Sequence, residues 1–388
     1  MTWFQLRTRS ILILLTTPAV VLALSGALGS APAVASNGAP AAPAIGAPAA
    51  VLMDARTGRV LYARSPHLRW PPASTTKILT ALLVDEALSD DTVVAISARA
   101  AAERSGTAIG LEAGEVWAVR DLLPALLIHS ANDAAVALAE AVAGSVEEFA
   151  TQMNARARAL GVQNSHFVTP HGRFHPQHYS TAYDLALIAR AALRSKRIAG
   201  IVAKQTWELQ RPGQPPRMLI NTNKLLWRYP GADGVKTGWI AESGPSLMAS
   251  ATRDGWQLIA VVLNAPQMET DAAALLNYGF GAFAPLRVAA EAQVMATVRV
   301  PNGARALTAA VPDEVIAVVR RGAVVASRVM ITKQAAPIRQ GEVVGKVVFT
   351  SEGSEVTQSP LIAADAVPVR SLWVRLAQWV QRMLRREP

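Results

Sequence analysis

Pro71-Pro72-Ala73-Ser74-Thr75-Thr76-Lys77-Ile78-Leu79-Thr80-Ala81-Leu82-Leu83 passes within a few residues from a proline-stiffened stretch to an apolar helical pattern. Ile78, Leu79, Leu82, Leu83 and Leu88 recur at mostly three- and four-residue spacing, which predicts a helix beginning at Ser74. The elements on either side decide the fold. Upstream, Ala50-Val51-Leu52-Met53 and Val60-Leu61-Tyr62 flank the turn-rich Asp54-Ala55-Arg56-Thr57-Gly58 and read as a hairpin. Downstream, residues 120–143 and 181–194 read as Ala-rich helices, the second opened by Ser180-Thr181 and Asp184. Strands return at Gly234 to Ile240, Ser246 to Thr252 and Trp256 to Asn264, the last two joined by Arg253-Asp254-Gly255. Early strands, a helical block and late strands predict an α+β fold: an antiparallel sheet built from both ends of the domain, flanked by helices.

At 388 residues the chain exceeds one typical domain, and without cysteine it has neither disulfides nor thiolate metal sites. Arg7 and Arg9 precede an uncharged apolar stretch from Ile11, and Ala33-Val34-Ala35 offers an A-x-A cleavage signal. Residues 1–35 are therefore expected to be a signal peptide, and the protein to be exported to the extracytoplasmic face of the membrane. An uncleaved anchor is the alternative, because the run is near spanning length. Ser25, Gly26 and Gly29 interrupt it. An Ala/Pro/Gly linker at 36–48 leads into a domain at 49–283. Beyond Phe283 the helical pattern stops. Short β-branched runs such as Val315–Arg321, Val324–Ile331 and Val343–Thr350 predict a small all-β domain at 284–368.

Residues 369–388 read as an amphipathic helix. Leu372, Trp373, Leu376, Trp379, Val380, Met383 and Leu384 form one face; Arg375, Arg382, Arg385 and Arg386 lie on the other. At about 16 residues it is too short to span a bilayer but suits a membrane surface; docking on its own domain is the alternative. The formal charge of +10 is concentrated at the chain ends, with five basic residues against one acidic in 370–388. The body has no Lys/Arg cluster interleaved with aromatics, so no nucleic-acid partner is expected.

Three motifs carry the chemistry: Ser74-Thr75-Thr76-Lys77, Ser130-Ala131-Asn132 and Lys236-Thr237-Gly238. A bare S-x-x-K should occur about once by chance in a chain of this size. All three in order supply a nucleophilic hydroxyl, two amines, a second hydroxyl and an amide, which is equipment for acyl transfer through a serine ester. Ser74 at a helix N-terminus meets backbone N–H groups that favour developing negative charge; an ordinary N-cap is the other reading. Lys77 shares its helical face. Buried among apolar neighbours, Lys77 must find partners or lose its proton, and a lowered pKa lets it deprotonate Ser74. Ser130-Ala131-Asn132 separates two apolar runs and suggests a loop facing a cleft, where Ser130 can pass a proton and Asn132 can bond a substrate amide. A helix start capped by Asn132 or Asp133 fits the same residues. On a predicted strand, Lys236 offers charge, Thr237 a hydroxyl for a carboxylate, and Gly238 an open surface for an extended peptide. A lone K-T-G would equally suit a surface strand with a solvated lysine.

With Leu126-Leu127-Ile128-His129 before Ser130, and with Pro170-His171-Gly172, Tyr179-Ser180-Thr181-Ala182-Tyr183-Asp184-Leu185 and Gly231-Ala232-Asp233-Gly234-Val235 before Lys236, the chain resembles the serine penicillin-binding and β-lactamase superfamily. More narrowly it resembles the low-molecular-mass, serine-type D-alanyl-D-alanine carboxypeptidases. The likeness covers residues 49–283 closely, and several members carry a C-terminal β-domain and an amphipathic anchor. The resemblance implies a β-lactamase/transpeptidase-like domain and a two-step reaction. Ser74 attacks the carbonyl between the terminal D-alanines of a peptidoglycan stem peptide, with Lys77 as base. The backbone N–H groups of Ser74 and Trp239 form the oxyanion hole. Ser130 with Lys236 relays a proton to the departing D-alanine, Thr237 holds its carboxylate, and water releases the acyl group. Neither a metal nor an organic cofactor is implied, and β-lactams are expected to acylate Ser74.

The chain departs from the pattern in three places. Ala131 stands where Gly is frequent, Pro266–Asp271 lacks an arginine that some members use for the substrate carboxylate, and Arg173-Phe174-His175 follows Gly172 where Leu-Asp is common. A class A β-lactamase would need a Glu-x-x-Leu-Asn between Asn132 and Lys236, which is absent. A D,D-endopeptidase uses the same residues. Clustered His166, His171, His175 and His178 raise a metalloenzyme reading. Pro170, Gly172 and Pro176 argue against the helix that a His171–His175 metal pair would need. A binding protein without catalysis would be expected to lose Ser74, Lys77 or Lys236, and all three are present.

Overall fold

The computed structural model describes residues 41–371 except 212 and 334, together with Trp373 and Leu376. The expected signal peptide and most of the expected C-terminal helix lie outside the described residues. Two compact units divide between 286 and 287, and residues 318–323 belong to the first.

The first unit is built on a five-stranded sheet in the order Val60–Arg64, Ala49–Asp54, Trp256–Leu263, Ser246–Arg253, Ala232–Gly238. Every neighbouring pair is antiparallel, and the N-terminal hairpin lies against the last strand in sequence, with Ala50 opposite Val262. Val51, Met53, Ile259 and Val261 face a core shared with helices Lys77–Ala87, Val119–Leu127, Asn132–Ala143, Val146–Ala159 and Ala182–Ala192. Ala50, Leu52, Leu258 and Val262 face the opposite core, which Leu275 and Leu276 of helix Met268–Ala282 complete. Burial on both faces explains why these strands read as continuous apolar runs. Each fully buried Val, Leu or Ile contributes about 1.5–3 kcal/mol of transfer free energy.

Several boundaries differ from expectation, for local reasons. The helix expected from Ser74 begins as a 3-10 turn, Ala73–Thr76, and becomes α-helical at Lys77. The single helix expected over 120–143 is two, because Ser130 adopts φ +66°, which no α-helix accommodates. The strand expected at Gly234 to Ile240 is Ala232–Gly238. Helix Val146–Ala159 carries a capping signal, the Ser145 hydroxyl accepting from Glu148 N–H. The hairpin Thr206–Leu209 with Arg217–Ile220 flanks the Pro- and Gly-rich stretch 210–216.

The second unit contains a five-stranded antiparallel sheet in the order Val294–Val298, Leu307–Ala310, Ser354–Ala363, Val343–Ser351, Val325–Ile331. Leu307, Val344, Val347 and Leu361 are fully buried. Among the described residues no helix is long and apolar enough to cross a membrane.

Candidate active site

Two prolines lead into the Ser74 turn. Ala73, fully buried, holds φ +49°, a left-handed conformation that costs a non-glycine residue free energy and persists only where its surroundings over-determine it. Gly172 is one such constraint: at φ +84°, its missing side chain would lie 1.8 Å from the Ala73 carbonyl oxygen. Thr75 Oγ1 donates to Pro72 O at 2.5 Å and closes the turn. Lys77, the first α-helical residue, is completely buried, with Nζ 2.9 Å from Ser74 Oγ and donating to His171 O at 2.9 Å. Burial pushes the Lys77 amine well below its ordinary range and the Lys236 charge acts the same way, while Glu103 and Asp133 oppose them. A neutral amine donating to one carbonyl has a lone pair left for the Ser74 proton.

The S-x-N motif is both loop and helix start. Asn132 opens helix Asn132–Ala143 without a side-chain cap. Its Nδ2 donates to Ser105 O and its backbone N–H to Thr107 O, both at 2.7 Å. The buried Asp133 carboxylate accepts from the N–H groups of Ile109, Gly110 and Leu111. Residues 105–111 are thereby tied over the motif. Ser130 is buried at 6% exposure in its left-handed conformation.

Lys236, Thr237 and Gly238 end the edge strand of the sheet, and Lys236 is buried rather than solvated. Its Nζ donates to Thr237 O at 3.2 Å, and desolvation pushes its pKa down to about 7. The Thr237 and Thr222 hydroxyls are 2.6 Å apart. A side chain at Gly238 would crowd Pro72 O at 3.0 Å and Thr75 N at 3.2 Å, so glycine lets the strand end run beside the Ser74 turn. Trp239 follows with its indole exposed.

The four clustered histidines do not converge on one point. His171 Nε2 lies 3.6 Å from Glu103 Oε2, while His166 Nδ1 contacts Gln177 O. His175 Nδ1 accepts from Gln177 N–H. His178 Nδ1 accepts from Val168 N–H, so its Nε2 carries the proton and donates to Thr76 Oγ1 at 3.0 Å; burial pushes this imidazole down to about 3. Among the described residues no group of three His, Asp or Glu is placed to hold a metal ion.

The turn at Ser74, the buried Lys77 and the strand end at Lys236-Thr237-Gly238 thus converge, with Asn132 tethered to the covering segment. Pro266–Asp271 serves another purpose: the Asp271 carboxylate accepts the N–H groups of Gly46 and Ala47 and pins the start of the domain. Sequence reading did not mark Glu103 or Thr222, which sit beside the site through contacts that no local spacing encodes.

The family model for D-alanyl-D-alanine carboxypeptidase matches residues 36–267, and the model for the C-terminal domain of penicillin-binding protein 5 matches residues 283–369. The chain is 34% identical to the D-alanyl-D-alanine carboxypeptidase DacF of Bacillus subtilis over 80% of this chain and 82% of that protein. It is 32% identical to DacC of Escherichia coli, another D-alanyl-D-alanine carboxypeptidase, over 84% of this chain and 86% of that protein. Penicillin-binding protein 5 from Haemophilus influenzae superposes with a TM-score of 0.77 at 29% identity, covering 84% of this chain and 98% of that one. By these matches the chain belongs to the D-alanyl-D-alanine carboxypeptidase family.

Proposed function

We propose that Ser74 is the nucleophile with which this D-alanyl-D-alanine carboxypeptidase releases the terminal D-alanine of peptidoglycan stem peptides. The observation that carries the reading is Lys77 Nζ, completely buried, 2.9 Å from Ser74 Oγ. Neutral Lys77 takes the Ser74 proton as Oγ bonds to the penultimate D-alanine carbonyl carbon. Backbone N–H groups of Ser74 and Trp239 receive the oxyanion. Ser130, with Lys236, passes a proton to the leaving amine, while Thr237 and the Lys236 charge hold the D-alanine carboxylate. Asn132 has its Nδ2 engaged by Ser105 O, which leaves its amide oxygen for a substrate N–H. The edge position of the Ala232–Gly238 strand suits pairing with an extended peptide. Water then attacks the ester and frees the shortened peptide and Ser74. A β-lactam, whose strained amide mimics the dipeptide, enters the same first step and leaves an ester on Ser74.

Export and membrane-surface attachment belong to the same proposal. Their support is the N-terminal A-x-A signal and the basic, tryptophan-bearing segment 369–388, whose described residues Trp373 and Leu376 are 79% and 53% exposed. Truncation after Ala366 is expected to release the mature protein from membranes. Intact-mass spectrometry with benzylpenicillin tests the chemistry. The expected result is one adduct that is absent in Ser74→Ala, with D-alanine released from a D-Ala-D-Ala peptide. An adduct that persists in Ser74→Ala would overturn the assignment.

A further inference from the structure

The short helix Ala98–Ala102 ends at Glu103, whose ψ of +79° turns the chain out of the helix and into the segment that covers the S-x-N loop. The Glu103 side chain is 15% exposed and gathers groups from two segments. Ser105 Oγ donates to Oε1 at 2.6 Å, and Arg173 Nη1 lies 3.4 and 3.3 Å from the two carboxylate oxygens. His171 Nε2 stands 3.6 Å from Oε2. Because His171 Nδ1 accepts from Arg173 N–H at 3.2 Å, the imidazole proton is on Nε2 and points to Glu103. The carbonyl of the same His171 is the one that receives Lys77 Nζ. A carboxylate absent from all three motifs thus ends one residue away from the base.

We infer that Glu103 is a positioning residue for acylation: it anchors the His171 imidazole, and so the carbonyl that orients Lys77, and it supplies a negative charge facing that amine. The inference rests on Lys77 as the base. Charged groups reach Lys77 from each side: Lys236 from the edge strand, Asp133 from helix Asn132–Ala143 and Glu103 from the covering segment. The imidazole of His171 is held neutral, pushed well below its ordinary range by burial first and by the Lys77 charge second. Asp133 is committed to the N–H groups of residues 109–111. Glu103 is the carboxylate that touches the Lys77 carbonyl partner's own ring. Arg173, 54% exposed, partly offsets its charge.

The sign follows. Removing the Glu103 charge leaves Lys236 less opposed, so Lys77 gives up its proton at lower pH. The test is the second-order acylation rate of the full chain by a fluorescent penicillin as a function of pH, whose acid limb reports the free-enzyme base. Glu103→Gln is expected to move that limb about 0.5–1 pH unit to lower pH, and Glu103→Asp to hold it near its original place. Arg173→Ala, at an exposed position that leaves folding intact, is expected to move it slightly the other way. A uniform rate loss in Glu103→Gln with the limb unmoved, or a shift of Arg173→Ala to lower pH, overturns the inference. Lys77→Ala separates the two levels: if acylation persists there, the base assignment falls, whereas a dead Lys77→Ala beside an unmoved Glu103→Gln limb rejects only the role of Glu103.

Discussion

The first unit buries Lys77, Lys236, Asp54, Asp133, Asp184, His171 and His178, whereas the described polar side chains buried in the second are Ser351 and Ser359. Both units have a five-stranded antiparallel sheet, so the difference is not one of architecture. The second unit satisfies its sheet by patterning: along Ser354–Ala363, buried residues alternate with exposed ones for most of the strand. The first unit places ionisable groups where water does not solvate them, which costs free energy wherever hydrogen bonds and partner charges do not compensate. Among the described residues, the fully buried ionisable side chains fall in the first unit and not in the second.

The sharpest way to break this comparison is Lys77→Met, which keeps the apolar stem and removes the amine. Acylation by benzylpenicillin is expected to fall by about 10³-fold or more, while thermal stability near neutral pH holds or rises because a desolvated amine is gone. Simultaneous loss of both would show that Lys77 is structural. Gly172→Ala comes next. A methyl group 1.8 Å from Ala73 O at φ +84° must displace the Ser74 turn. About 2–4 kcal/mol of destabilisation and about 10- to 100-fold slower acylation are expected, by thermal melts and stopped flow. In the second unit, Leu361→Ala removes a fully buried side chain. It should cost about 2–4 kcal/mol in denaturant melts yet leave the acylation rate within about twofold.

The smallest expected effect sharpens the comparison through pH. His178 titrates at about 3 when folded against an ordinary 6.5, so between those values the unfolded chain binds the extra proton. Its contribution is complete above pH 6.5 and is lost as the pH falls toward 3. Asn can keep the acceptor that Val168 N–H uses. Melting temperatures of His178→Asn are therefore expected to fall less steeply with acid than those of the parent, and an unchanged slope would assign the acid sensitivity elsewhere.

Much of the site was legible because its parts are short-range. Ser74 and Lys77 meet through helical spacing alone, and Thr181 capping Asp184 N–H follows from an adjacent signature. The N-terminal hairpin and the strands from Ser246 to Leu263 were legible from apolar runs and turn residues. Less legible were features whose cause is remote in sequence. Thr80 Oγ1 bonds Pro170 O, and Trp256 Nε1 bonds Asp54 Oδ2, across separations that periodicity does not register. The break at Ser130 was legible in part: polar Ser130-Ala131-Asn132 between two apolar runs reads as a loop or a helix start, and the structure has both, with Ala131 N–H on Ala125 O and Asn132 tied to Ser105 O and Thr107 O. Glu103 follows a run of alanines and carries no motif, and its link to the site runs through His171 and Arg173, about 70 residues on.

By itself the amino-acid sequence determined which groups are present, their order, and the alternation of strand and helix that places each near an element end. Those properties depend on side-chain chemistry and on periods of two and 3.6 residues, which a linear string carries. Only the tertiary structure decided that Lys236 is dehydrated as well as Lys77, that the Gly238 strand end lies against the Ser74 turn, and that the Glu103 carboxylate from a motif-free segment reaches the His171 ring. Dehydration and electrostatic fields depend on everything packed around a group, and that environment exists only once distant segments have come together.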